Sequence, residues 1–127
     1  KQSGVTCAEP DFMRFVEKSS TSSQWPLEST EGSGIFAKEA WTISKGSPDI
    51  KIAVLDDGVE LTHSDLKANL LKGFNAVTDN VTGTNGAPKP GDTHGTKCSG
   101  IIAAVDNNQG ITGVAPHCKI IPIRIFL

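Results

Sequence analysis

Long apolar runs, basic clusters and closely spaced cysteine or histidine pairs are all missing from this chain of 127 residues. No apolar stretch approaches the roughly 20 residues needed to span a bilayer, so no membrane span is expected. The formal net charge is −2, with neither basic runs nor basic residues interleaved with aromatics. That balance argues against nucleic acid or an anionic membrane surface as the main partner. Three cysteines, Cys7, Cys98 and Cys118, cannot all pair with one another, and their spacing matches no zinc pattern. The plain reading of Cys98 and Cys118 is that of small apolar core residues. The chain opens at Lys1 without an apolar signal segment, so any targeting peptide has been removed or lies upstream. What is present is a globular composition, 37% hydrophobic and 20% charged, of a length that suits one domain or a piece of a larger one.

Along the chain, residues 1–34 are rich in Ser, Thr, Gly and Glu, with short apolar patches at Phe12–Val16 and at Trp25 and Leu27. Such a segment is expected to lie against a body rather than fold alone. Phe36, Ala37, Ala40 and Trp41 fall on one helical face, and Gly46 and Pro48 supply a stop. Ile50 to Leu55 is a short apolar run that suits a strand buried on both faces. A second strand is expected around Gly73 to Val77, followed by a loop rich in Gly, Asn and Pro from Thr78 to Thr93. Cys98, Ile101, Ile102 and Val105 recur at helical spacing and predict a helix with one apolar face. A last apolar strand runs from Lys119 to Phe126. Alternating strands and helices predict an α/β fold, a parallel sheet flanked by helices, left incomplete in this chain.

Two segments carry the chemistry. Val54-Leu55-Asp56-Asp57-Gly58-Val59 ends a strand in a carboxylate before a glycine turn. Thirty-eight positions after Asp56, His94-Gly95-Thr96-Lys97-Cys98-Ser99-Gly100 places a histidine at a helix start. Open α/β sheets carry functional groups beyond the carboxyl ends of their strands. A carboxylate there can accept the Nδ1 proton of a histidine, fix its tautomer and stabilise the imidazolium formed during acyl transfer. An isolated Asp-Asp-Gly is an ordinary acidic turn, and an isolated His-Gly-Thr an ordinary helix start. Their conjunction, in the order Asp then His, points to two members of a serine-protease triad.

In these motifs the chain resembles the subtilisin-like serine proteases, or subtilases. Their strand signature Asp-(Ser/Thr/Asp)-Gly and helix signature His-Gly-Thr-x-(Val/Cys)-(Ala/Ser)-Gly are both met. The segment Asn107 to Pro116 resembles the loop that follows the histidine helix. The resemblance spans roughly residues 24–127 and makes Asp56, rather than Asp57, the catalytic aspartate beside His94. It implies hydrolysis of polypeptide substrates, a monomer, and a secreted or cell-envelope location. Asp57 and Cys98 lean toward the kexin- and furin-like branch. Cys98, four residues after His94, would share its helix face as a thiol near the imidazole or pack behind the site. A Cys–His nucleophilic pair is disfavoured, because it would leave the aspartate without a purpose. Asp57 and Asp92 are candidate substrate-binding residues whose charge would favour a basic side chain.

The same resemblance implies a structural Ca2+ held by the Asp65 carboxylate, the Asn107 side chain and the carbonyls of Val105, Gln109 and Ile111. A plain polar turn is the alternative. A further acidic ligand of the family falls here on Lys18, with Glu17 next to it. A second calcium site of furin-like relatives is not expected, since Asn75 and Asn80 stand where aspartates would be. Val5 to Met13 resembles the last strand of an inhibitory propeptide, so residues 1–23 read as a propeptide remnant, or as an ordinary extension. Residues 24–127 then form the N-terminal part of a catalytic domain. The chain reaches Leu127 before any serine in a nucleophile context, so the expectation is of a fragment of a serine endopeptidase, inactive alone. A non-catalytic pseudoprotease or a calcium-stabilised binding domain is the alternative.

Overall fold

The computed structural model describes residues 24–28, 34–78 and 86–127. The expected propeptide remnant, Cys7, Glu17, Lys18 and Asn80 therefore lie outside the described residues. A 3-10 turn at Trp25–Leu27 leads to the one-turn helix α1 (Ala37–Ala40), followed by strands and a second helix: β1 (Lys51–Asp56), β2 (Phe74–Asn75), α2 (His94–Ala103) and β3 (Lys119–Arg124). No helix among the described residues is long and apolar enough to cross a membrane.

The sheet is parallel, with β3 between β1 and β2. Along β1 the register runs from Lys51 opposite Lys119 to Asp56 opposite Arg124. Among the described residues, β3 meets on its other side only an isolated bridge at Leu70 and the two residues of β2. Pro122 explains the gap. The N–H groups of Lys119 and Ile125 reach toward β1 and that of Ile120 toward Asn69. Alternation therefore aims position 122 at the β2 side, where proline has no N–H to donate. The ladder breaks there and resumes as Phe74 and Asn75 pair with Ile123 and Arg124.

The core lies between α2, β1, β3 and the loop after β1. Val54, Ala103 and Ile120 form one cluster, and Val59, Leu66 and Ala104 a second, with Leu70 packed against both. Two expectations are corrected here. Strand β1 is buried on one face only: Val54 and Asp56 are covered, whereas Leu55 is 56% exposed. Nothing among the described residues packs over that second face. Helix α2 uses only part of the predicted apolar face: Ile102 packs against the first cluster, whereas Ile101 is 57% exposed. Its buried residues are Gly95, Ser99, Gly100 and Ala103, and Ile101 points outward. Small side chains at positions 95, 99 and 103 let the helix approach the sheet closely, and that proximity outweighs the burial of larger side chains. A Cβ at Gly95 would overlap the carbonyl oxygen of Gly58 and lie 2.9 Å from the Asp56 Cβ.

The opening segment is pinned by polar contacts. The Gln24 side-chain amide donates to the Thr112 carbonyl at 3.0 Å and accepts from the Thr112 N–H at 2.9 Å, as a neighbouring strand would. Trp41 Nε1 donates to the Val114 carbonyl at 2.8 Å. The expected helix around Trp41 is a single turn, which Phe36 enters in a left-handed conformation.

Candidate active site and metal loop

Asp56 closes β1 with its side chain largely buried, and His94 opens α2 with its side chain 64% exposed. His94 Nδ1 lies 2.9 and 2.7 Å from the two Asp56 carboxylate oxygens. The Asp57 N–H donates to Asp56 Oδ1 at 2.7 Å, which fixes the carboxylate from its own strand end. With the carboxylate facing Nδ1, the ring is set to carry its proton there and to turn Nε2 outward as an acceptor.

Asp57 has a role that its sequence position does not disclose. Its Oδ2 accepts the His94 N–H at 3.0 Å and its Oδ1 the Gly95 N–H at 2.7 Å. Thr93, the residue that precedes α2, makes no side-chain cap. A carboxylate from the neighbouring strand end thus satisfies two free amides of the helix and meets its positive end. Thr96 returns the contact, its Oγ1 accepting the Glu60 N–H at 2.9 Å. Gly58 adopts φ +112°, and a Cβ there would come within 2.6 Å of the Ala87 backbone. Here glycine is required both by conformation and by the close approach. The two motifs are therefore one interlocked unit.

The structure engages both candidate substrate-binding carboxylates internally. Asp57 is occupied by the helix amides. Asp92 Oδ2 accepts from Arg124 Nη2 and from the Lys89 N–H, each at 3.2 Å. Arg124 is 3% exposed and also donates to the Phe126 carbonyl, so Asp92 neutralises a buried guanidinium. Sequence spacing held no signal for this pair, which the β3 register brings together.

Cys98 lies one helical turn after His94, with Sγ 3.7 Å from both ring nitrogens. Burial, then the charges of Asp56 and Asp57, push its thiol above the ordinary value. A thiol held protonated is a poor nucleophile, which disfavours a Cys–His pair. Cys118 is buried, as expected of a small core residue. Ser99, fully buried on the sheet-facing side of α2, is out of reach of substrate.

Of the calcium-loop residues, Asp65 is 6% exposed. It accepts the Ile111 N–H at 3.2 Å and contacts Ser64 Oγ at 3.2 Å, with no cationic side chain among the described residues paired to it. A Cβ at Gly110, which has φ +55°, would overlap the Asp65 carboxylate. The Val105 N–H donates to the Asp65 carbonyl at 2.8 Å, tying the loop to the same point. Asn107 Oδ1 instead caps the Gln109 N–H at 2.9 Å, and the Val105 carbonyl accepts the Asn107 N–H at 3.0 Å. The buried Asp65 carboxylate offers a hard oxygen donor of the kind Ca2+ takes, while the Asn107 side chain and the Val105 carbonyl are engaged within the loop.

The model of the Subtilase family matches residues 47–127. Thermitase of Thermoactinomyces vulgaris is 42% identical over 93 residues, covering 72% of this chain and 31% of that protein. A calcium-dependent protease of Nostoc sp. is 35% identical over 132 aligned residues, covering 97% of this chain and 19% of the relative. Among solved structures, a serine protease of Aeromonas sobria superposes with a TM-score of 0.69 at 30% identity, over 97% of this chain and 23% of that one. The chain thus spans about a third or less of the length of these relatives. The match runs through the aspartate strand, the histidine helix and the loop beyond it, and the chain belongs to the subtilase family.

Proposed function

We propose that the protein carrying this chain is a serine-type endopeptidase in which Asp56 orients His94 and His94 serves as general base and then general acid. The observation that carries the reading is the contact of 2.7 Å between Asp56 Oδ2 and His94 Nδ1, with the other side of the ring turned to solvent. In that arrangement Nε2 takes the proton of an attacking hydroxyl, the imidazolium is stabilised by the carboxylate, and the proton passes to the leaving amine. Among the described residues, the polar side-chain atom nearest Nε2 beyond its own ring is the thiol of Cys98, at 3.7 Å. The hydroxyl nucleophile and the oxyanion donors are therefore assigned to further chain of the kind its longer relatives contain. Asp57 acts as a positioning residue, because it holds the backbone from which the His94 ring projects.

Asp65 and the loop 105–111 are proposed to hold Ca2+, which supplies fixed positive charge and ties the end of α2 to the segment after β1. The buried carboxylate, paired with no cationic side chain among the described residues, supports this, as does similarity to relatives named calcium-dependent proteases. Polypeptide is the proposed substrate.

The test is Asp56→Asn in the full-length protein, assayed on a peptide substrate. Loss of the correct tautomer is expected to lower kcat by about 10⁴ with little change in KM. A variant that hydrolyses peptides within tenfold of the wild-type rate would refute the assignment.

A further inference from the structure

A cleft of about 500 Å3 opens beside the start of α2, between the loop after β1 and the turn that precedes the helix. Three anchored segments form its walls. Glu60, on the loop, donates its N–H to Thr96 Oγ1 at 2.9 Å, and the neighbouring Val59 N–H reaches the Gly86 carbonyl at 2.9 Å. The turn bearing Lys89 closes on itself. The Asp92 N–H donates to the Lys89 carbonyl at 3.0 Å, and the Lys89 N–H to Asp92 Oδ2 at 3.2 Å. Buried Arg124 holds the same carboxylate from the core side. Pro88 and Pro90 flank Lys89 and restrict that turn further. The third wall is the first turn of α2, which brings Lys97 to the cleft.

The charge of the lining is unbalanced. Among the described residues, the ammonium groups of Lys89 and Lys97 form no ion pair, and neither does the Glu60 carboxylate. Asp92, the other carboxylate of the lining, is neutralised by Arg124. Asp57 faces the helix amides and does not line the cleft. Two unpaired cations against one unpaired carboxylate leave a net positive surface where the sequence predicted a negative one. We propose that the cleft is a subsite for an acidic side chain of the polypeptide substrate, an aspartate or glutamate held by Lys89 and Lys97 close to the scissile bond. The subsite rests on the peptidase role proposed above for His94. Its place along the substrate follows from helix geometry. Lys97 comes three residues after His94, so their Cβ atoms lie about 5–6 Å apart. An extended substrate advances about 3.3 Å per residue, so a chain reacting beside Nε2 passes the cleft within two or three residues. Lysine ammonium groups on flexible stems meet a carboxylate as point charges and set no strict geometry, which suits both acidic side chains.

The test uses the full-length protein and a neutral peptide substrate in which Glu, Gln or Lys is placed singly at each of three positions on either side of the scissile bond. At one position kcat/KM should favour Glu over Gln by at least twofold and up to about thirtyfold, the range of two partly screened ion pairs, with Lys least favoured. The preference should shrink as salt rises from about 0.05 to about 0.5 M. Lys89→Ala combined with Lys97→Ala should abolish it, and Glu60→Gln should raise it. Lys51→Ala, at the opposite end of β1, should leave it unchanged. Cleavage of the neutral peptide with no twofold preference for Glu at any position, or a preference that survives in the double variant, would overturn the subsite and leave the proposed function standing. Fluorescently labelled forms of the same peptides, bound to the Asp56→Asn protein, read the cleft without turnover by fluorescence polarisation. There the Glu peptide should bind at least twofold tighter than the Gln peptide, and equal binding would overturn the subsite. If the wild-type protein cleaves no peptide, yet Glu binds tighter and loses that advantage when both lysines are replaced, the proposed function fails and the subsite stands.

Discussion

Replacing Asp57 by alanine is expected to loosen the junction between β1 and α2. The carboxylate accepts the His94 and Gly95 amides at 3.0 and 2.7 Å, and Thr93 supplies no cap in its place. Loss of a helix cap costs typically about 1 kcal/mol and up to about 2. Removing a negative charge from the positive end of the helix adds about 0.3–1 kcal/mol. The sum for Asp57→Ala is about 1.3–3 kcal/mol, of which Asp57→Asn, which keeps one acceptor, should lose roughly half. Urea denaturation of the wild-type protein and both variants reads the order and the size. Amide hydrogen exchange gives the local signature, with protection at His94 and Gly95 falling more than elsewhere in α2. The reasoning fails if Asp57→Ala stays within about 0.3 kcal/mol of wild type and exchange at these amides is unchanged. In that case an altered preference between basic and apolar peptides would return Asp57 to the substrate-binding role expected from sequence.

Two other outcomes follow from contacts on the same framework. Asp92→Ala strips the carboxylate from Arg124, which is 3% exposed, while its bond to the Phe126 carbonyl remains. The expected cost is about 1–3 kcal/mol by denaturant unfolding, and Asp92→Ala together with Arg124→Met should recover part of it. Calcium at about a hundred times its dissociation constant should stabilise the protein by about 2.7 kcal/mol. Asp65→Asn should abolish that gain. Gly110→Ala should abolish it too, since the added Cβ overlaps the carboxylate and φ is +55°. A melting temperature that responds equally to calcium in all three proteins would refute the metal loop.

Much of the fold was legible because its signals are local. The strand ending in Asp56, the helix starting at His94 and the last strand each follow from short-range pattern and turn chemistry. Where the reading failed, distance in space decided. The apolar repeat at Cys98, Ile101, Ile102 and Val105 predicted one apolar face, of which Ile102 packs against the core, but the residues α2 buries fully are Gly95, Ser99, Gly100 and Ala103. Periodicity counts hydrophobic residues, whereas a helix laid tightly on a sheet selects for small ones. The run from Ile50 to Leu55 predicted a strand covered on both faces, yet only one face meets partners among the described residues. An apolar side chain records a preference for burial and cannot say whether a partner is at hand.

The opposed fates of two adjacent aspartates divide what sequence and tertiary structure each contribute. By itself the sequence determined the family and the order of its motifs, and it singled out Asp56 as the partner of His94. Those conclusions rest on residue type and spacing, which the chain carries wherever it folds. Only the tertiary structure decided that Asp57 caps α2 and that Asp92 neutralises Arg124. Each of those contacts depends on the depth at which one helix settles on one sheet, or on the register of β3 against its neighbours. Such depths and registers are set by packing among residues far apart in the chain.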